Sequence, residues 1–306
     1  MVEKTPILDT LTYIFLIVGI LIVGFPIIYA VIATTLPIED VSRVPMPLIP
    51  GDQFLVNMKT AWTEGDLGIH LLNSFIMATG ITLGKIIVSL FGAFSIVYFD
   101  YRLRTVAFVS VFCTLMLPVE VRILPTYEMA ANLLGPFQGL WDLLHLDGVA
   151  SWIAGHDIEV TLEWSLLDSY TGLIMPLVAS ATCTFLFRQF FLTIPEELCE
   201  AAKMDGASAM TFFRKILLPL SKTNIAALVV IEFVYGWNQY LWPLLITTNP
   251  KMMTAVIGLQ NLIPAADDLP YWNVALGGAL IVMLPPILVV LFMQRWFVKG
   301  LVEREK

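Results

Sequence analysis

A chain of 306 residues that is 58% hydrophobic and only 14% charged is not built like a water-soluble domain, which carries about a quarter charged residues. Its formal net charge of −8 is not spread evenly, since much of the acid gathers at Glu39, Asp40, Asp52, Glu64 and Asp66 and again from Asp142 to Asp168. A face that acidic argues against nucleic acid as a partner. The three cysteines, Cys113, Cys183 and Cys199, imply neither a disulfide framework nor a metal site by their spacing.

Spanning a bilayer takes roughly 20 apolar residues in helical form, and six stretches qualify. They run from about Leu11 to Ala33, Leu71 to Tyr98, Val106 to Leu117 (extending toward Leu124), Tyr170 to Phe187, Thr223 to Ile246, and Tyr271 to Phe297. None alternates with period two, so an all-α integral membrane protein is expected rather than a barrel. The first stretch lacks a short core followed by a small-residue cleavage site, and reads as a retained anchor. Residues 1–306 then form a single transmembrane domain, with outer loops at about 36–69 and 125–168.

Orientation follows from Lys and Arg in the connections. With the N-terminus inside, the inner segments hold Lys4, Arg102, Arg104, Arg188, Lys203, Arg214, Lys215, Lys222, Arg295, Lys299, Arg304 and Lys306. The outer ones hold only Arg43, Lys59, Arg122 and Lys251. Both termini are expected in the cytoplasm, with most acidic residues outside.

The inner connection at 191–220 contains Glu200-Ala201-Ala202-Lys203-Met204-Asp205-Gly206-Ala207 and closes on Ile216-Leu217-Leu218-Pro219. It reads as two short helices. Thr193 and Glu196 have capping-box spacing with Pro195 in a first turn. Gly206 can stop the first helix in the left-handed conformation, and Ser208 can cap a second helix with Phe212, Phe213, Ile216 and Leu217 on its apolar side. One reading is an ordinary helical loop. The other is a docking surface, since the small residues Ala201, Ala202 and Ala207 permit close approach of a partner.

Glu200-Ala201-Ala202, three residues, Gly206, nine residues, Ile216-x-Leu218-Pro219 matches the cytoplasmic loop of ABC importer permease subunits. Asp205-Gly206-Ala207 and Phe213 resemble the form in carbohydrate importers, as do Leu72-Asn73-Ser74 and Gly236-Trp237-Asn238-Gln239-Tyr240-Leu241-Trp242-Pro243. The segments Thr114–Arg122, Thr184–Phe191 and Pro219–Asn224 resemble the second membrane subunit of sn-glycerol-3-phosphate importers. The resemblance covers nearly the whole chain, apart from an apparent outer insertion at about 134–166. It implies six helices in the type I importer permease (MetI-like) fold, in the bacterial inner membrane. It also implies a homologous second permease, a pair of ATPase subunits docked on the loop through Glu200, Ala201, Ala202, Asp205, Gly206, Ala207 and Phe213, and an extracytoplasmic binding protein. ATP and Mg would belong to the ATPase. This chain has no GxxxxGK[ST] loop and is expected to bind no cofactor and to catalyse nothing.

Charges inside spans cost roughly 2.5–3.5 kcal/mol at a helix centre and so point to function. Lys85 sits midway along the second span with Thr82 and Ser89 on its face. Glu232, in the fifth, shares a side with Tyr235 and Gln239, while Asn224, Asn238 and Trp242 fall on an adjoining arc. This polar stripe either lines a wet pathway or joins packed helices, and an ion pair between Lys85 and Glu232 is a third arrangement. Arg122, beside Glu120 at an outer span end, is either an interface anchor or a substrate contact. His70, His145 and His156 are scattered without metal spacing and are expected to be solvated or interfacial. Phe137, Leu140, Trp141 and Leu144 form one helical face in the insertion, suited to the membrane surface, to the binding protein, or to covering the subunit.

The implied cargo is sn-glycerol 3-phosphate, extending to glycerophosphodiesters, with a sugar or polyol as the alternative. A carboxylate at Glu232 on the path of a phosphate ester is a tension that Lys85, Arg122 or helix N-termini must relieve. An ion-coupled secondary transporter would leave the 191–220 loop unexplained. A membrane enzyme would need an acid–base or metal cluster that the sequence lacks.

Overall fold

The computed structural model describes residues 6–114, 119–147, 151–152, 161–263 and 271–302. It is helical throughout, with no strand among the described residues. The chain forms two compact units, one of residues Met1–Leu71 and Ala255–Leu284, the other of Leu72–Thr254 and Pro285–Lys306.

The first unit contains α1 (Pro6–Thr35) and α2 (Phe54–Glu64). The most apolar window of α1 is wholly unburied by protein, and side chains such as Phe15 and Val23 are more than three-quarters exposed. A surface that apolar calls for lipid or an apolar partner helix against it. Polar bonds tie the C-terminal end of α1 to its neighbours in this unit. Asn57 of α2 donates through Nδ2 to the carbonyls of Thr34 (2.9 Å) and Leu36 (3.0 Å), and Asn273 Nδ2 donates to Asn57 Oδ1 (3.0 Å). His70, expected to be solvated or interfacial, is instead buried. The missing side chain of Gly258 leaves room for its ring, since a Cβ there would sit 2.3 Å from Nδ1.

Two long helices continue from the first unit into the second. They are α3 (Leu67–Tyr98) and a final helix, Trp272–Val302. The division of the final helix falls at Pro285-Pro286, where two prolines remove successive N–H donors from the helical ladder.

The second unit adds α4 (Arg104–Cys113), α5 (Val119–Ala131), α6 (Gly135–Leu143), α7 (Tyr170–Leu177) and α8 (Ala181–Phe191). A hairpin of α9 (Glu196–Met204) and α10 (Ala209–Leu220) follows, then α11 (Lys222–Trp237) and α12 (Leu241–Ile246). Gly80 and Gly84, four apart on α3, let α7 and the turn after it approach closely. Added Cβ atoms would lie 2.6 Å from Ile174 and Val178 side-chain carbons. Gly236 does the same for α11, where a Cβ would meet the Ala78 backbone at 2.9 Å. These are small-residue contacts of the kind that pack helices in membranes.

By length and hydropathy, α1, α3 and the first part of the final helix qualify as membrane spans, and two bent pairs qualify only when joined. The fourth expected span is broken rather than continuous. Its halves, α7 and α8, meet at 48°, and Ser180 restarts the helix by accepting from Cys183 N–H at 3.2 Å. The fifth is also broken, between Trp237 and Leu241, because Pro243 cannot donate to Gln239 and its ring would clash with that carbonyl. The third divides between α4 and α5, with 115–118 outside the described residues.

The segment at 134–166, expected as an outer insertion, is closed at its base among the described residues. Leu133 N–H donates to Trp164 O (2.9 Å) and Leu166 N–H to Ala130 O (2.8 Å), while Asn132 Oδ1 accepts from the N–H groups of Leu134 and Trp164. Phe137 and Leu140 of α6 and the following Leu144 are exposed, as expected of one apolar face. Trp141 is half-buried and donates to Asp147. His156 lies outside the described residues.

Candidate functional site

Lys85 and Glu232, 147 residues apart in sequence, meet where α3 and α11 pack. Lys85 Nζ lies 2.7 Å from Glu232 Oε2, and each residue is only 5% exposed. Cys183 of α8 donates from Sγ to the other carboxylate oxygen at 2.8 Å. The ammonium also sits 3.6 Å from the centroid of the Tyr235 ring. A buried ion pair persists only if its remaining hydrogen-bonding capacity is met. Here a thiol and an aromatic face meet part of it.

This cluster borders a cavity of about 680 Å³ within the second unit, lined among others by Lys85, Arg122, Glu232, Tyr235, Gln239 and Trp242. Tyr235, Gln239 and Trp242 of the stripe expected on the fifth span therefore face one space with Arg122. Asn238 does not line it. It is exposed at the C-terminal cap of α11, where the break before α12 turns it aside. Asn224 lies elsewhere on α11, outside the cavity lining. The hydroxyls of Thr82 and Ser89 are taken up by the carbonyls of Ala78 (2.7 Å) and Ser180 (3.3 Å), as helix contacts rather than lining groups. Cys183 was not singled out by sequence as a partner. Its position in an apolar run carries no signal linking it to Glu232.

The charge balance of the lining is simple. Lys85 and Glu232 cancel, and among the described lining residues only Arg122 adds formal charge without an ion-pair partner. The Arg122 side chain is exposed. Among the described residues, the cavity therefore presents hydroxyl, amide and aromatic groups and one cation without an ion-pair partner, Arg122.

The hairpin is the second candidate site. α9 ends at Asp205, and Gly206 takes φ +70°, a conformation that glycine adopts without a Cβ penalty. Ala207 N–H returns to Ala202 O (2.9 Å) and Gly206 N–H to Lys203 O (3.0 Å), which is a Schellman stop. Ser208 caps α10 by accepting from Thr211 N–H at 3.2 Å, as expected. Thr193 does not form the expected capping box. Its hydroxyl donates to Phe190 O at 2.7 Å, and Pro195 takes the N-cap position. Within α10 the turn widens to a π-helix over Phe213–Leu217, which accommodates Pro219, a residue with no N–H for the helical ladder.

The small-residue face does not point outward as a whole. Glu200, Ala201, Lys203, Met204, Asp205 and Gly206 are exposed, but Ala202 is buried and Ala207 half-buried. Phe213 is also buried, 5.0 Å from both Phe91 and Phe94 ring centroids, and Phe212 lies 5.2 Å from Tyr98. Ala202, Phe212 and Phe213 share a core with Phe187 and Phe191. Of the residues expected at a partner's surface, Ala202 and Phe213 therefore anchor the hairpin to α3 and α8 instead.

Relatives and solved structures resemble this chain along its whole length. An sn-glycerol-3-phosphate transport system permease protein UgpE of Pectobacterium atrosepticum is 49% identical over 312 residues, covering all of both chains. Proteins of the same name in Yersinia pestis and Salmonella choleraesuis are each 48% identical, again with full coverage. The fold matches a chain in the crystal structure of a bacterial ABC transporter involved in the import of the acidic polysaccharide alginate. That match has a TM-score of 0.72 at 18% identity and covers 97% of this chain and 100% of the other. Residues 85–303, containing both the cavity cluster and the hairpin, match the family described as binding-protein-dependent transport system inner membrane component. The chain is a member of that family of ABC importer permeases, a non-enzymatic transport subunit.

Proposed function

We propose that this permease carries sn-glycerol 3-phosphate inward through the cavity beside Lys85 and Glu232, as half of a path completed by a second, homologous permease. The supporting observation is the charge arrangement. Glu232, which alone would repel a phosphate ester, is neutralised by Lys85 at 2.7 Å, and Arg122 remains to attract the phosphate. Tyr235, Gln239 and Trp242 offer polar and aromatic groups to the glycerol moiety. The relatives named as glycerol-phosphate permeases support the same cargo.

In this reading both termini and the hairpin are cytoplasmic. Glu200, Ala201, Asp205 and Gly206 face an ATPase subunit, which holds the ATP and Mg. Its closure moves the hairpin, and the Phe212 and Phe213 contacts pass that movement to α3 and α8. A binding protein delivers cargo from outside. Uptake of labelled glycerol 3-phosphate by cells dependent on this chain tests the cargo and the cavity together. Arg122→Gln should raise the concentration needed for half-maximal uptake, while the protein still inserts. Uptake of a sugar or polyol in place of glycerol 3-phosphate, unaffected by Arg122→Gln, would refute it.

A further inference from the structure

A second cavity, of about 270 Å³, shares no lining residue with the first. Its walls include Ile96 and Val97 near the end of α3, Arg104, Thr105 and Phe108 in the first turns of α4, and Arg188 of α8. Arg188 stacks over Phe108, its Cζ 4.1 Å from the ring centroid, so its guanidinium is held in place. Its Nε is buried and has no acceptor among the described residues. Among the described residues, Arg104 pairs only with the acid Asp100, at 3.3 Å, and that acid is 93% exposed, so the pair is weak and screened. Among the described residues, no carboxylate lines this cavity.

An arginine does not shed its proton to relieve such a deficit. A buried N–H without an acceptor is costly, and a charge-assisted bond to an anion is the strong remedy. The surroundings narrow the anion. Leu103, Val106 and Val109 near Arg104 are exposed and apolar, as is Leu192 beside Arg188. α3 and α8 end here, next to the hairpin core that joins Tyr98 to Phe191 and Phe212. Span ends lie at the level of lipid headgroups, and a ligand that places hydrocarbon beside phosphate satisfies both kinds of wall. The geometry points to a phospholipid site, with the lipid phosphate held by Arg188 and Arg104, a third bond from the Thr105 hydroxyl, and acyl chain laid along Leu103, Val106 and Val109. The inference rests on the membrane reading of the chain but not on its cargo.

The test uses the complex as purified from membranes, stripped of loosely bound lipid. Native mass spectrometry and thermal stability are followed on adding short-chain phosphatidylglycerol. Wild type should retain a lipid adduct and gain stability, and diacylglycerol of the same chain length should produce neither effect. Arg188→Gln and Arg104→Gln should each weaken the apparent lipid affinity at least about tenfold. Thr105→Val, at an exposed position, should weaken it by less. It keeps the test open if Arg188→Gln fails to assemble. Unchanged phosphatidylglycerol binding in Arg104→Gln and Thr105→Val would overturn the site. Inorganic phosphate matching the lipid at equal concentration would overturn a lipid as its occupant. Transport is not the readout, so failure here leaves the glycerol-phosphate reading standing.

Discussion

Lys85→Met strands a carboxylate in the protein interior. Glu232 would keep only the Cys183 thiol, on a residue 5% exposed. Removing one partner of a buried pair costs about 3–5 kcal/mol, because the other charge stays buried. Glu232→Gln should cost less, since Lys85 keeps the Tyr235 ring at 3.6 Å. That contact is worth about 0.5–2 kcal/mol. The double mutant removes both charges, and replacing a buried pair with neutral groups is often close to neutral. A double-mutant cycle should therefore return a coupling of about 2–4 kcal/mol, with Lys85→Met the more damaging single change. At 1.4 kcal/mol per tenfold, a loss of about 3 kcal/mol is more than a hundredfold in the folding equilibrium. Denaturant unfolding in micelles, followed by tryptophan fluorescence, measures all three variants. Additive single losses, or a milder effect from Lys85→Met than from Glu232→Gln, would refute the pairing argument.

At the hairpin, Gly206→Ala meets no atom within 4 Å, so it should cost only the positive-φ penalty of about 1–2 kcal/mol. Gly206→Pro cannot adopt φ +70° and should leave an inserted protein that loses ATPase association or coupling. Glu200→Arg, on the exposed side, should do the same, and normal ATP-coupled uptake in both would count against docking there. Gly236→Ala pushes against the Ala78 backbone and should destabilise by about 1–3 kcal/mol in a thermal assay, as overpacked cores do. Asp168 lies in the loop before α7. Accepted bonds from Asn249 N–H, and from the Thr248 hydroxyl and N–H, hold its pKa below the usual carboxylate range. A lowered folded pKa means that its stabilisation is present above the unfolded value of 3.8 and fades as pH falls through the folded value. Asp168→Ala should thus be less stable than wild type at neutral pH, and the gap should close in acid. A constant gap across that range would contradict the linkage.

The locally encoded features were legible in sequence. Long apolar runs mark α1, α3 and the final helix because a spanning helix satisfies its own backbone hydrogen bonds and needs only apolar side chains. Gly206 and Ser208 mark the hairpin because stops and caps are decided within a few residues. The breaks in the fourth and fifth spans were less visible, since Pro176 and Pro243 are also tolerated inside membrane helices that repair their hydrogen bonds elsewhere.

The sequence by itself determined that this is a helical membrane protein with two buried charges, a polar stripe and a specific hairpin motif, because composition, periodicity and turn chemistry are properties of neighbouring residues. Tertiary structure decided which groups meet. Only packing of α3, α8 and α11 brings Lys85, Glu232 and Cys183 together across 147 residues of chain. Only contact with α3 and α8 turns Ala202 and Phe213 inward while Glu200 and Ala201 stay exposed. Such pairings depend on how whole helices cross, and the period of a single helix does not specify its neighbour.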